Sequence, residues 1–112
     1  MDRKKKIKSK KDYDRVYQRG RRYSARSCVV LWTNNDLGNN RYGIVVSKKV
    51  GKAVERNRAR RRLREVIRKM DNRMLQGYDV VVVAKKGAVD MAFVELVWDC
   101  ERVFKKAGLL MG

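Results

Sequence analysis

The hydrophobic positions of this 112-residue chain follow helical spacing in three segments and strand-like runs in three others. Helical spacing predicts helices over residues 12–20, 53–70 and 90–107. Asp90 is the expected N-cap of the last helix, and Gly108 is expected to end it. Runs rich in β-branched residues predict strands over 28–33, 42–46 and 79–84, with residues 23–27 as a possible short extended piece.

The order of these elements predicts an α+β fold. Residues 34–40 are rich in asparagine and predict a turn, so the strands that flank them are expected to pair as a hairpin. The valine run at 79–84 suits a strand that is buried on both faces. Helices packed on a small mixed sheet would form a two-layer sandwich within one domain, residues 1–112. Residues 1–11 are nearly all basic or polar and are expected to form a mobile tail.

Charge is the most unusual feature of the composition. The chain has 30 lysines and arginines against 12 aspartates and glutamates, a net charge of +18. The excess lies in residues 1–26 and 41–70, whereas residues 71–112 hold six residues of each sign. A hydrophobic content of 44% excludes a disordered basic tail, and self-repulsion at this charge predicts an anionic partner. Without an apolar run of membrane-spanning length or a secretory signal, the expected location is the cytoplasm.

The residue types that are missing limit the chemistry available to the chain. It contains no histidine, so no side chain has an ordinary pKa near 7, and a ribonuclease mechanism based on two histidines is excluded. Two cysteines without histidine do not make a zinc site. Cys28 and Cys100 both lie among apolar residues, which favours reduced core thiols over a disulfide or a reactive site. Catalysis by the chain itself would need carboxylates with a metal, or a lysine.

The predicted helix over 53–70 places an apolar stripe beside a basic one. The apolar stripe consists of Ala59, Leu63, Val66, Ile67 and Met70, and the basic stripe of Asn57, Arg61, Arg64 and Arg68. Seven arginines and no lysine occur between residues 56 and 68, and guanidinium groups match phosphate oxygens in pairs. Only Glu55 and Glu65 offset this charge, so the stripe favours a polyanion over the alternative of a solvated face.

Two further features point to a nucleic acid. Residues 47–52 join a strand to the arginine-rich helix, and their three lysines and backbone amides suit a phosphate contact. Tyr13 and Tyr17 lie one helical turn apart, and Trp32 faces the opposite side of its strand from Leu31. Each aromatic residue could belong to the core, but beside a basic groove they could stack on unpaired bases. This favours single-stranded RNA or DNA in the groove, with backbone contacts to structured RNA elsewhere.

One run of the sequence is highly specific. Residues 47–58 read Ser-Lys-Lys-Val-Gly-Lys-Ala-Val-Glu-Arg-Asn-Arg within the longer run 41–65, and Gly77-Tyr78-Asp79 leads into the valine strand. With an aromatic first helix and a final helix in the expected order, the chain resembles the protein subunit of bacterial ribonuclease P over about residues 7–107.

The resemblance implies a function and a fold beyond what the residues alone predict. Family members bind a large catalytic RNA and the single-stranded 5′ leader of precursor tRNA, and they assist the Mg²⁺-dependent hydrolysis that removes the leader. Catalysis and most of the Mg²⁺ binding would belong to the RNA, and no DNA or membrane partner is implied. The implied fold has a four-stranded mixed sheet with a left-handed β-α-β crossover, where chain physics alone would favour a right-handed one.

Carried over residue by residue, the resemblance implies two binding surfaces and no catalytic or metal-ligating residue. The residues implied to contact the catalytic RNA are Arg56, Asn57, Arg58, Arg60, Arg61, Arg64 and Arg68. The residues implied to line the leader cleft are Tyr13, Tyr17, Trp32, Ser47, Lys48 and Lys49. Tyr13 and Tyr17 stand where phenylalanine is frequent in the family, and tyrosine keeps the ability to stack.

Two other functions stay open from the sequence. A general RNA-binding protein, such as a ribosomal component, would bind RNA without supporting any cleavage. A stand-alone metal-dependent nuclease would use Asp12, Asp14 or Asp36, which are scattered along the sequence. Stimulated cleavage of precursor tRNA by the catalytic RNA would exclude the first, and cleavage by the protein with Mg²⁺ alone would support the second.

Overall fold

The computed structural model describes residues 5–111 and shows helices on both faces of one sheet. The elements are α1 (Lys10–Arg19), β1 (Arg21–Ser24), β2 (Cys28–Asn34), β3 (Arg41–Val45), α2 (Ala53–Met70), β4 (Tyr78–Ala84), α3 (Gly87–Asp90) and α4 (Phe93–Lys106). The α+β class and the order of the predicted elements are confirmed, with α3 as an additional short helix. The predicted two layers are corrected to three, because α1 packs on the face of the sheet opposite to α2 and α4. None of the helices within the described range is long and apolar enough to cross a membrane.

The four strands lie in the order β1-β2-β4-β3. β1 and β2 are antiparallel, as are β2 and β4, whereas β3 and β4 are parallel. The predicted hairpin between the strands that flank residues 34–40 is therefore wrong, because β4 lies between β2 and β3. β4 takes an inner position because its valine run can be buried on both faces.

The parallel pair of β3 and β4 is joined through α2, which makes this part of the chain a β-α-β unit. The connection packs α2 on the sheet face that α4 also covers. A left-handed crossover stays a prediction from the resemblance.

Alternation along the strands divides the core between the two faces of the sheet. On the face of α2 and α4, Val30 of β2 and Val80 of β4 pack with Leu63 and Leu96. On the face of α1, a smaller cluster contains Ile7, Val16, Leu31 and Val81. A ten-residue helix is only about 15 Å long, so α1 covers part of its face. The valines at 29, 45 and 83 are left partly exposed there.

The helix ends agree with the sequence at some positions and not at others. α1 begins at Lys10 because the Ser9 hydroxyl accepts a hydrogen bond from the Asp12 N–H at 3.1 Å. Asp90 is not the N-cap of the last helix but the final residue of α3, and α4 begins three residues later. Gly108 ends α4 as predicted, with a φ of 77° that suits glycine.

The N-terminal segment contacts the sheet within the interval predicted to be a tail. Lys6 forms a bridge with Tyr42 on β3, and the Ile7 N–H donates to the Tyr42 carbonyl at 3.0 Å. Ile7 is buried, and Lys5 forms an ion pair with Asp71. Residues 1–4 of the predicted tail lie outside the described residues.

The two cysteines are both buried and reduced, as predicted. Cys28 lies on β2 and Cys100 on α4, so the thiols belong to the core between sheet and helix. A hydrogen bond with Cys28 and burial raise the pKa of the Cys100 thiol.

Candidate nucleic-acid interface

The orientation of α2 decides where its arginines lie. Its predicted apolar stripe is buried against the sheet, with every member at 3% exposure or less. The angle of each arginine from this stripe then divides most of the arginines of α2 into three groups. One group lies at the β3 edge of the sheet, nearest to α1, one faces the solvent, and one faces α3.

On the α1 side, Arg60 and Arg64 line a depression at the β3 edge of the sheet. The depression has a volume of about 230 Å³, and its other walls are Lys6, Ile7, Tyr13, Tyr42, Gly43 and Ile44. Arg60 also donates to the Asn57 side-chain oxygen at 3.1 Å. The structure therefore brings two of the predicted RNA-binding arginines and the predicted stacking residue Tyr13 to one depression.

Tyr13 is positioned by the ion pairs of its neighbour. Arg41 on β3 contacts both the buried Asp79, at 2.7 Å, and Asp12 on α1, at 3.3 Å. A hydrogen bond from Ser9 and the charge of Arg41 hold the pKa of Asp12 below its ordinary value, although burial opposes them. These contacts fix the start of α1 over β3, with the Tyr13 ring against Gly43.

Tyr17 follows one turn later and is 44% exposed. Burial raises the pKa of both the Tyr13 and the Tyr17 hydroxyl, so both stay protonated and uncharged at neutral pH. The partly exposed side chains of Val29, Val45 and Val83 belong to the same cluster as Tyr13, on the face of the sheet that α1 covers. We call these five residues the sheet trough: it is apolar, aromatic on one side, and open to solvent.

Ser47, Lys48 and Lys49 are exposed and follow β3 directly. They begin only two residues after Val45, so they extend the trough with cationic side chains at the end of the strand. Val50 is buried and anchors this segment before α2. At the start of α2, the Lys52 N–H is bonded at 3.1 Å to the Glu55 carboxylate, which therefore occupies part of the predicted anion-accepting position.

On the solvent side, Asn57, Arg61 and Arg68 are exposed. Arg68 pairs with Glu65 at 2.8 Å, and this hydrogen bond lowers the pKa of Glu65. Within residues 5–111, Arg68 is the only one of the six predicted RNA-binding arginines that forms an ion pair with a carboxylate. The predicted basic stripe thus stays largely uncompensated.

On the α3 side, Arg58 and Arg62 hold the segment between β4 and α4. The Arg62 guanidinium is buried and donates to the carbonyls of Ala88 at 2.9 Å, Val89 at 2.7 Å and Met91. Arg58 donates to the Val89 carbonyl at 3.3 Å, and Arg56 at the helix start donates to Gly51. Burial and the charge of Arg58 lower the pKa of Arg62.

Trp32 does not join the trough. It is 7% exposed, lies in the core on the α4 face, and stacks on Tyr23 with ring centroids 5.8 Å apart. The alternation that separates Trp32 from Leu31 was predicted, but it is Leu31 that faces α1. The placement of Trp32 in a leader cleft is therefore corrected: its ring is a core residue.

Lys6 and Gly43 also line the depression, and neither was predicted from the sequence. A glycine inside a predicted strand is the signal for Gly43, because it often marks a close approach by another group. Lys6 carries no such signal, since only the pairing of its segment with β3 brings it to the depression.

The carboxylates do not form a metal site within the described residues. Asp12 pairs with Arg15 and Arg41, and Asp14 pairs with Lys10 at 2.9 Å. Asp36 lies in the turn after β2. The three aspartates considered for a stand-alone nuclease are thus not gathered into one donor set.

Comparison with known proteins identifies the family. The Ribonuclease P family model matches residues 1–108. The ribonuclease P protein component of Syntrophomonas wolfei is 36% identical over 109 residues, covering 97% of this chain and 92% of the relative. That of Symbiobacterium thermophilum is 44% identical over 105 residues, covering 93% and 91%.

Solved structures agree with the sequence comparison. The RNase P protein of Staphylococcus aureus superposes with a TM-score of 0.85 at 34% identity, covering 95% of this chain and 97% of the other. The RNase P protein from Thermotoga maritima gives a TM-score of 0.81 at 27% identity, with 90% and 96% covered. The chain therefore belongs to the ribonuclease P protein family.

Proposed function

We propose that this chain is the accessory protein of a ribonuclease P that removes the 5′ leader of precursor tRNA. In this proposal α2 binds the catalytic RNA, and the sheet trough binds the single-stranded leader. The observation that carries it is the depression that Arg60 and Arg64 line together with Tyr13. A strand of RNA along this edge would meet guanidinium groups and an aromatic face together.

The solvent side of α2 suits the backbone of a folded RNA. Arg61 and Asn57 are exposed there, and Arg64 lies at the boundary with the trough. Guanidinium groups bind phosphate oxygens in pairs, and a rigid 18-residue helix holds them in a fixed row. Because few of these charges are compensated within the described residues, a polyanion removes their mutual repulsion as it binds.

The trough suits an unpaired strand rather than a duplex. Tyr17 and the half-exposed valines can contact base faces, which are hidden in a duplex but free in a single strand. Ser47, Lys48 and Lys49 would contact the backbone of the same strand where the trough ends. Stacking on base faces and ion pairs with phosphates do not depend on the base sequence, because every base has a face that can stack. The trough would therefore bind many different leader sequences.

We assign Mg²⁺ to the RNA partner. The carboxylates of residues 5–111 do not form a donor set that fits this ion, since those near the interface are paired with lysine or arginine. The chain's own contribution is to bind and orient: its cations neutralise phosphates and hold the leader beside the RNA. The hydrolysis itself needs no side chain of this protein.

Stimulation of cleavage by the catalytic RNA tests the proposal. Precursor tRNA, ribonuclease P RNA and a low concentration of Mg²⁺ are combined with and without the protein. The proposal expects faster release of the 5′ leader with the protein, and no release by the protein with Mg²⁺ alone. Binding without stimulation would instead support a general RNA-binding protein, and cleavage by the protein alone would support a nuclease.

A further inference from the structure

A second basic surface lies at the β1 edge of the sheet, on the face that α4 covers. Its cations are Arg26, Lys85, Arg102 and Lys106, and we call these four residues the α4 surface. They line a cavity of about 370 Å³ whose other walls are Ser24, Ala25, Asp99 and Val103. Three of the cations, at positions 26, 102 and 106, are exposed.

The charge of the α4 surface is not compensated within the described part of the chain. None of its four cations forms an ion pair there. Asp99 contributes one negative charge to the wall, but it is buried and its Oδ2 accepts from the Ser27 hydroxyl at 2.6 Å. Glu101 on the same helix pairs with Arg73 at 3.2 Å and with Lys105 at 3.5 Å. The cavity wall therefore keeps a net positive charge.

Two of the cations are held in place before any partner binds. The Lys85 ammonium donates to the Ala25 carbonyl at 2.7 Å. The Lys106 ammonium lies 5.4 Å from the centre of the Tyr23 ring, which in turn stacks on the buried Trp32. Cations that are already ordered lose less conformational entropy when they bind a partner.

The α4 surface is separate from the interface described above. The depression of Arg60 and Arg64 lies at the β3 edge, whereas the α4 surface lies at the β1 edge. Three strand spacings of about 4.8 Å separate the two edge strands. One phosphate group cannot reach both surfaces, so they can hold two segments of a nucleic acid at once.

The charge pattern of the sequence does not predict the α4 surface, because the C-terminal third of the chain has no net charge. Three of the four cations come from residues 71–112, which hold equal numbers of acidic and basic residues. Folding separates the acidic residues from the basic ones. Asp99 is buried and Glu101 forms an ion pair, while Arg102 and Lys106 line the cavity. A helix that is neutral in sequence thus presents a basic face.

We propose that the α4 surface is a second RNA-binding site, which holds the phosphate backbone of a separate RNA segment while the trough is occupied. It rests on the proposed function only in taking RNA as the partner. Two arginines suit phosphate recognition, and the charge of the wall is complementary to an RNA backbone. The protein would then bridge two segments of its RNA partner.

Salt-dependent binding of the full chain to ribonuclease P RNA tests the proposal. The test variant is R26Q/R102Q, because both side chains are exposed and neither donates a hydrogen bond within the described residues. The matched control is K11Q/R19Q, which removes the same charge from two exposed positions on α1 that line neither the depression at the β3 edge nor the α4 surface. The logarithm of the association constant decreases as the logarithm of the salt concentration rises. The proposal expects this decrease to be less steep in the test variant, by about 1.4–1.8 in the slope, at 0.7–0.9 per phosphate contact.

The control pair is expected to change the slope by less than half of that amount. Equal changes in the two variants would show a general charge effect and overturn the proposal, as would an unchanged slope in the test variant. Polyglutamate that binds at this surface as tightly as RNA would also overturn it, in favour of an acidic polypeptide.

Cleavage from a tethered iron chelate separates failure of this proposal from failure of the proposed function. Cys28 and Cys100 are buried, so R102C or S47C offers one accessible thiol for attachment. In the ribonucleoprotein with bound precursor tRNA, the proposal expects cuts from position 47 in the leader and cuts from position 102 in an RNA segment that position 47 does not reach. Cuts from position 47 alone would overturn the second site and leave the trough assignment intact. Cuts from position 102 alone would contradict the trough assignment instead.

Discussion

The ring of Tyr13 on α1 lies against the backbone of Gly43 on β3. A Cβ atom added at Gly43 would come within 2.7 Å of the Tyr13 Cζ, closer than real Cβ contacts. Arg60 and Arg64 lie in the same depression. The missing side chain at residue 43 is thus what lets the aromatic ring and the arginines share one wall.

Gly43→Ala tests this relationship. The added methyl group displaces Tyr13, and overpacking of this kind destabilises a protein by about 1–3 kcal/mol. We expect weaker binding of leader-bearing precursor tRNA by the assembled ribonucleoprotein, while leaderless tRNA binds as before. Y13A/G43A relieves the clash, so the free energies of unfolding should be strongly non-additive. Additive losses would show that Tyr13 and Gly43 do not interact.

Arg61 and Arg62 are neighbours on α2 with opposite roles, and they control for each other. Arg62 is buried and satisfies three carbonyls, so Arg62→Ala should lower the free energy of unfolding by about 3 kcal/mol. Arg61 is exposed, so Arg61→Ala should change it by at most about 0.5 kcal/mol. Urea unfolding measures both.

RNA binding should show the reverse order for this pair. Arg61→Ala should reduce the salt slope of binding to ribonuclease P RNA by about 0.7–0.9, the loss of one phosphate contact. Arg62→Ala should leave the slope unchanged wherever the variant is folded. Loss of stability in Arg61→Ala with no effect on the salt slope would contradict the proposal that α2 binds the RNA through Arg61.

Asp71 makes the free energy of unfolding depend on pH in the acidic range. Burial raises the pKa of its carboxyl, but hydrogen bonds from Lys5 and Tyr42 outweigh burial and hold the pKa below the ordinary value. A carboxyl with a lowered pKa stabilises the fold above its unfolded pKa of about 3.9, and this contribution is lost as the pH falls through the folded pKa.

The free energy of unfolding should therefore fall between about pH 5 and about pH 2, and the fall should be smaller in Asp71→Asn. Tyr42→Phe, which removes one hydrogen-bond donor to the carboxylate, should give an intermediate curve. Denaturant unfolding at a series of pH values measures this. Parallel curves for wild type and Asp71→Asn would show that the carboxyl is not stabilised in the fold.

Features that depend on local spacing could be predicted from the sequence. The stripe of Leu63, Val66 and Ile67 repeats within a few residues, so it fixed both the existence of α2 and the face that it buries. The chain order of the strands was predictable for the same reason. Pairing was not, because β2 and β3 are close in sequence yet β4 pairs with both.

The site shows the same limit. Alternation puts Leu31 and Trp32 on opposite faces of β2, but it does not say which helix covers which face. Only the packing of α1 on Leu31 and of α4 near Trp32 decides that. Likewise, the basic stripe of α2 was predictable, whereas the meeting of Arg60 with Tyr13 depends on the whole topology.

The central claim is that the sheet trough binds the leader. Tyr17 tests it, because its side chain is 44% exposed and its removal spares the core. Tyr23 is the matched control, since it is 40% exposed but faces α4. In the ribonucleoprotein assembled with each variant, the affinities for leader-bearing and leaderless tRNA are measured and their ratio is compared with wild type.

We expect Tyr17→Ala to lower that ratio by roughly 5- to 150-fold, from the loss of about 1–3 kcal/mol of base stacking. Tyr23→Ala should leave the ratio unchanged. A ratio that Tyr17→Ala does not alter, or that Tyr23→Ala lowers as much, would contradict the account of the trough.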